Sequence, residues 1–295
     1  MTHVQDIDLS PVLQGRMATY QFLSRLFCSE VDQELYDTLV AMRFPANTSN
    51  DLVDEGYRMI CTYLSQADGT VLTELAVDFV RAFIGSGNDG YSAAYPFESV
   101  YTSPKRLMMQ DARDEVLVLY HAAGLDKQED WKEGEDHIAL ELEFEQILAE
   151  RALKAYEAGD EDACAQHLLQ QKNFLEDHLL AWYPMMADDM QKFPRTDFYR
   201  GLGKLTSGFL QNDLEFLDDV LSGRDESEKA VGADAADLDA ADVAQADAPD
   251  AASVVQADAP EAASVAQVDV PDAADAYRSD ASGFPEEKSL VEGIA

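Results

Sequence analysis

The chain has 295 residues, 58 of them acidic and 21 basic, for a formal net charge of −37. The excess is not confined to one end: residues 223–295 carry 18 acids and 4 bases, and the 222 residues before them still stand at −23. A field of that sign repels nucleic acid and anionic lipid and draws in cationic partners, which excludes a reader of DNA or RNA.

Helical periodicity starts near the N-terminus. Leu13, Met17, Tyr20, Leu23 and Phe27 form one apolar stripe, with Ser10 expected as its N-cap and Pro11 as its first position. Leu52, Met59, Ile60 and Tyr63 form a second stripe; Leu72, Leu75, Phe79 and Phe83 form a third, begun near Thr70. Residues 85–95 are a glycine-rich interruption, placed as a binding loop on a rigid scaffold would be. Residues 114–124 are predicted helical and close on a glycine, although Val116 to Tyr120 is a strand-like run. A helix over 136–158 shows Leu140, Phe144, Ile147 and Leu148 on one face. Another over 161–183 shows Leu168, Leu175, Leu179 and Trp182, with Pro184 expected to break or kink it. The last stripe, over 197–221, holds Phe198, Leu202, Leu205, Phe209 and Phe216. No run alternates as strands do. The expectation is an all-α, single-domain bundle of about ten helices over residues 1–222.

Residues 223–295 are a different material. A unit of eleven residues repeats, with Pro249, Pro260 and Pro271 in register and almost no large apolar side chain. Such a segment has little to bury against its chain entropy, so a disordered acidic tail is expected. The three cysteines, Cys28, Cys61 and Cys164, form no CxxC pair and read as buried thiols in a reducing compartment. No uncharged stretch exceeds ten residues, so no bilayer span is expected. The first residues lack both a basic start and an apolar run, so no secretory signal is expected and the protein reads as cytoplasmic.

Four short patterns carry the candidate chemistry: Asp78-Phe79 through Phe83, Phe97-Glu98-Ser99-Val100-Tyr101, Asp136-His137, and His178 with Trp182 and Pro184. Each sets an aromatic ring or a histidine beside a carboxylate, which suits a peptide that is cationic at one end and apolar at the other. Asp136 is expected to cap the helix that follows, and His137 shares a helix face with Leu140, Glu141, Phe144 and Leu148 at the mouth of an apolar groove. Phe79 and Phe83 are its expected walls, and Asp78 and Arg81 an expected pair. Phe97 and Tyr101 flank Glu98. His178 and Trp182, one helical turn apart, are expected to pack structurally.

Competing chemistries find less support. His137 and Glu141 sit at metal-ligand spacing, and with His178 they define an alternative reading as an all-helical metal-dependent enzyme. A di-iron bundle requires repeated Glu-x-x-His, and none of the five histidines has a glutamate three residues earlier. Neither a metal nor another cofactor is therefore expected. The stretch from Gly201 to Thr206 resembles part of a phosphate loop but has Phe198 in place of the first glycine and lies within a helical stripe. There is no Gly-x-Ser-x-Gly elbow.

In order and spacing, the four patterns resemble the TorD/DmsD family of redox-enzyme maturation chaperones, from about residue 72 to about residue 217. The matching residues are Asp78 through Phe83, Glu98-Ser99-Val100-Tyr101, Gly124-Leu125 followed by Asp136-His137, and His178-Leu179 through Trp182 and Pro184. The resemblance implies an all-helical chaperone without catalytic groups. Its implied partners are the twin-arginine signal peptide and apo form of a molybdenum-cofactor oxidoreductase of the dimethyl sulfoxide reductase type. The expected peptide surface comprises Asp78, Phe79, Phe83, Phe97, Glu98, Ser99, Tyr101, Asp136, His137 and Glu141; by their own chemistry the carboxylates Asp78, Glu98, Asp136 and Glu141 are expected to meet the guanidinium groups. Three departures stand out: Gly134-Glu135 replace the usual proline before the Asp-His step, Ala82 replaces a larger apolar residue, and the acidic tail lies outside the family pattern.

Overall fold

The structure, a computed structural model, describes residues 8–45, 47–85, 91–129, 131–242 and 288–289, with side chains through Gly223. Its first helix, α1 (Ser10–Cys28), holds Pro11 in its first turn. Leu9 occupies the cap position expected of Ser10, and the Ser10 N–H donates instead to the Asp8 carboxylate at 3.0 Å. Helices α2 (Gln33–Ala41) and α3 (Asp51–Ser65) are capped by Asp32 and Asn50, whose side chains accept first-turn N–H groups. α4 (Val71–Phe79) runs into a wide π turn over Val80–Ile84, which Gly85 ends at φ 69°. That left-handed conformation is one glycine adopts without a Cβ clash.

A short helix, α5 (Glu98–Thr102), and α6 (Asp111–Ala122) follow. The strand-like run Val116 to Tyr120 lies wholly within α6, where Val116 and Tyr120 share the buried face. α7 (Ile138–Glu157) is the central helix, packed along α1 on one side and α8 (Glu161–Phe174) on another. It is enclosed nearly all round: Ile138, Ala139, Leu140 and Leu142 are fully buried, and so are the acids Glu141, Glu143 and Glu145. A helix whose apolar stripe is narrower than its burial carries its polar positions into the interior. This is how α7 comes to hold three buried glutamates.

The helix expected to break or kink at Pro184 is not broken there. A second π turn, Leu175–Leu179, links α8 to α9 (Leu180–Lys192), and α9 continues through Pro184. The irregularity lies one turn before the proline, where a widened turn accommodates a ring that cannot join the regular hydrogen-bond ladder. α10 runs Asp197–Asp242. The apolar pattern of the body ends near Ser222, whereas α10 goes on to Asp242; the eleven-residue acidic repeat lies outside the described residues.

α10 also explains the phosphate-loop lookalike. Gly201 faces Gly56 of α3 so closely that a Cβ on Gly56 would lie 2.7 Å from the Gly201 carbonyl oxygen. The glycines of this stretch are a helix-crossing surface. Elsewhere α10 is held by charge: Asp213 accepts from Arg16 through both oxygens, at 2.5 and 2.8 Å, and from the Tyr20 hydroxyl at 2.7 Å. Arg16 also donates to Gln171, which donates to Glu145, so α1, α7, α8 and α10 meet in one buried network.

Extended pairing among the described residues is slight: Leu125–Asp126 pairs in parallel with Lys288–Ser289, and Phe97 bridges His137. No described helix is long and apolar enough to cross a membrane. The expectation of three buried thiols holds for Cys164 but fails for Cys61, which is exposed on α3; Cys28 is half-buried.

Candidate functional site

A cavity of about 620 Å³ opens between the end of α1, the α4 π turn, and the segments around Phe97 and His137. Phe79, Phe83, Phe97 and His137, all predicted from sequence, line it. Cys28, Val31, Ile84, Tyr95, Pro96 and Met108 complete the apolar wall, and Glu30, Asp32 and Glu133 supply carboxylates. Phe79 and Phe83 stand edge to face at 5.0 Å, and Phe83 meets Phe27 and Tyr199 in the same manner at 5.6 and 5.5 Å. Edge-to-face packing fixes these rings without filling the cavity.

His137 lies between two rings, 5.1 Å from Phe97 and 5.2 Å from Trp131, each edge to face. Its Nδ1 accepts the Ala139 N–H at 3.1 Å, so His137 itself is the N-cap of α7. Burial lowers its pKa to about 3, so the ring is neutral at physiological pH. This reassigns the capping expected of Asp136. The Asp136 carboxylate instead accepts the Ser99 N–H at 2.9 Å, and the Glu98 N–H donates to the Asp136 carbonyl at 3.0 Å. Asp136 therefore caps α5, a helix 37 positions earlier. The tightness of Gly134 has the same origin: a Cβ there would lie 2.7 Å from Asp136 Oδ1. Where the family pattern has a proline, the space next to the Asp-His step here admits only glycine without adjustment.

The four carboxylates expected to meet guanidinium groups are all buried and already engaged. Asp78, 1% exposed, accepts from the Arg195 and Thr196 N–H groups and the Thr196 hydroxyl, and it pairs with Arg81 at 2.7 Å as the sequence suggested. It fastens the end of α4 to the start of α10. Glu98 meets His178 Nδ1 at 3.0 Å across 80 positions of sequence. Glu141 accepts the Trp182 indole N–H at 2.9 Å. Burial, followed by the neighbouring Glu98 charge, raises Glu141 well above the usual carboxylate range, and burial likewise raises Asp136 against the lowering effect of Ser99. None of the four lines the cavity. Ser99 is fully buried, and Tyr101 stacks on Trp182 at 5.6 Å; both hold the wall from behind.

The carboxylates that do reach the cavity have no motif to single them out in the sequence. Glu30 and Glu133 are exposed, and among the described residues neither side chain has a hydrogen bond or ion pair. Asp32 is shared, capping α2 and pairing with Arg25 at 2.7 Å. The loop bearing Glu133 is latched by Glu135, which joins Arg113 and Lys127. Although burial pushes Glu135 up, those two cations hold it down to about 2. The residues of the metal reading serve the wall: His137 Nδ1 accepts from Ala139, His178 Nδ1 meets Glu98, and Glu141 Oε2 accepts from Trp182. Among the described residues no three His, Cys, Asp or Glu side chains are disposed to hold a metal ion.

Residues 50–188 match the family described as nitrate reductase delta subunit. The chaperone protein TorD of Vibrio cholerae is 32% identical over 147 residues, 50% of this chain and 64% of that protein, so the match spans just under two thirds of the relative. Longer matches run to TorD of Vibrio parahaemolyticus, 26% identical over 69% of this chain and 95% of the relative, and of Aliivibrio salmonicida, 27% identical over 71% and 98%. The Asp78, Glu98-to-Tyr101, Asp136-His137 and His178-to-Trp182 patterns all lie within the residues that match this family, and over them the chain is similar to proteins described as TorD chaperones.

Proposed function

We propose that this protein is a non-catalytic chaperone in the cytoplasm for a molybdenum-cofactor oxidoreductase of the dimethyl sulfoxide reductase type. It holds the client's twin-arginine signal peptide, together with the apo-enzyme, until the cofactor has been inserted. The observation that carries this reading is the cavity itself, with aromatic and aliphatic walls and two carboxylates, Glu30 and Glu133, that are unpaired among the described residues. A leader of paired arginines next to an apolar stretch is its complement: guanidinium forks meet carboxylates, and the stretch meets Phe79, Phe83 and Phe97. The ten residues expected as a peptide surface then divide by role. Phe79, Phe83, Phe97 and His137 face the peptide, while Asp78, Glu98, Ser99, Tyr101, Asp136 and Glu141 support the wall.

The test is calorimetric titration of a synthetic leader against its lysine-pair variant. The arginine form is expected to bind about tenfold tighter, because the bidentate contacts are lost with lysine. Both affinities should fall with added salt, given the charge of the body. Replacing Glu30 and Glu133 together by glutamine should erase the difference between the peptides. Equal affinity of the two peptides for the unaltered protein would refute arginine recognition.

A further inference from the structure

Three consecutive large apolar side chains stand in water beside the cavity: Leu107 at 43% exposure, Met108 at 40% and Met109 at 54%. They lie outside every motif that the sequence singled out, though within the residues that match the family. Nothing about helix packing requires them there, since the loop between α5 and α6 is held by polar contacts. The Ser103 hydroxyl brackets Leu107, accepting its N–H at 3.1 Å, and the Gln110 amide donates to the Met108 and Met109 carbonyls at 2.9 and 3.0 Å. The Gln110 N–H donates to the Ser99 hydroxyl. Arg106 pairs with Asp189 at 3.2 Å, its guanidinium lying over Tyr101 and Tyr91 at 4.8 and 4.9 Å.

The backbone at this point is also unusual. Arg106 and Met109 adopt φ 51° and 58°, left-handed values that cost a non-glycine residue on the order of 1 kcal/mol each. The loop is thus a fixed frame turned so that its apolar side chains face outward. Met108 lines the cavity, and the Met109 thioether packs against Gly134, next in sequence to the rim acid Glu133. Exposed apolar surface and anionic charge are adjacent, as a partner with adjoining cationic and apolar segments requires.

We propose that Leu107, Met108 and Met109 form an adaptable lip that receives the apolar stretch of the leader immediately beside its arginine pair. This rests on the leader-binding reading above. Methionine is suited to such a lip because, unbranched and polarizable, it conforms to apolar side chains of differing shape. Because the backbone is already fixed, binding orders side chains without ordering a loop. The lip therefore supplies affinity for any sufficiently apolar stretch, and the acids supply the choice of arginine.

The experiment titrates the full chain and its M108S/M109S variant with two peptides, one a leader with its apolar stretch, the other with that stretch replaced by serine and glycine. The variant is expected to bind the first peptide about tenfold or more weakly and the second unchanged, since only apolar burial has been removed. M108L/M109L should restore binding of the first peptide. Dilute peroxide with mass spectrometry gives an independent readout: the apolar leader should protect Met108 and Met109 from oxidation, while Met42 and Met185, comparably exposed and outside the cavity lining, stay reactive. If the unaltered protein binds the leader and M108S/M109S binds it equally well, the lip is refuted while the leader reading stands. If the unaltered protein binds neither peptide, both fall. A self-associating protein that M108S/M109S turns monomeric would show the lip to be a contact between copies, and would also refute the proposal.

Discussion

Glu143 offers the most direct test of the energetics of α7. It is 1% exposed, its Oε2 has no hydrogen-bond partner among the described residues, and burial raises its pKa from 4.5 to about 9. In the folded state this carboxyl keeps its proton to alkaline pH, while in the unfolded chain it ionises near 4.5. Its contribution to stability is thus full below that value and is lost as pH rises towards about 9. Each pH unit in that window removes about 1.4 kcal/mol. From about pH 5.5 to about pH 8.5 the loss sums to about 4 kcal/mol. Glu143→Gln keeps the shape and removes the titration. Urea unfolding of both proteins at several pH values should show the variant's relative stability climbing by that amount across the window. A constant offset from burying an amide, about 1–3 kcal/mol, does not alter this slope. Parallel pH profiles for the two proteins would refute the argument, and with it the picture of Glu143 as a buried neutral acid.

Other consequences follow from the hydrogen-bonded wall. Asp78→Ala should lower unfolding free energy by about 3–5 kcal/mol, since it leaves Arg81 and two backbone N–H groups without their buried acceptor; thermal or urea unfolding checks this. Trp182→Phe, which deprives the buried Glu141 carboxyl of its indole donor, should cost about 1–3 kcal/mol by the same measurement. Gly134→Ala places a methyl group against Asp136 Oδ1 and should destabilise the protein by about 1–3 kcal/mol, with hydrogen exchange accelerated at the Ser99 amide. An unchanged Ser99 amide would show that the Asp136 contact tolerates the displacement.

Much of the fold is visible in the residue pattern. The stripes through Leu13, Ile60, Leu75, Phe144, Leu179 and Phe209 each lie on a helix, because apolar periodicity reports which face is buried. Less of the site is visible, and the reasons are physical. A carboxylate next to an aromatic residue looks alike whether it faces solvent or the interior; what separates Glu98 from Glu30 is a histidine 80 positions away. Asp136 stands where a cap for α7 belongs, and only the return of the chain places Ser99 against it. α5 is five residues long, too short to show a period. The rim acids Glu30 and Glu133 lie in loops, where no periodicity reports direction.

The reciprocal arrangement at Asp136 and His137 also bears on how the chain is synthesised. A helix of five residues has no stability of its own, and α5 gains its N-terminal acceptor only from a residue 37 positions later. The Phe97–His137 bridge has the same separation problem. A nascent chain ending before His137 lacks both the acceptor for α5 and the partner of Phe97, and the rings of Phe79 and Phe83 still wait for Tyr199 of α10. The cavity wall therefore closes only when residues as late as Tyr199 have been added.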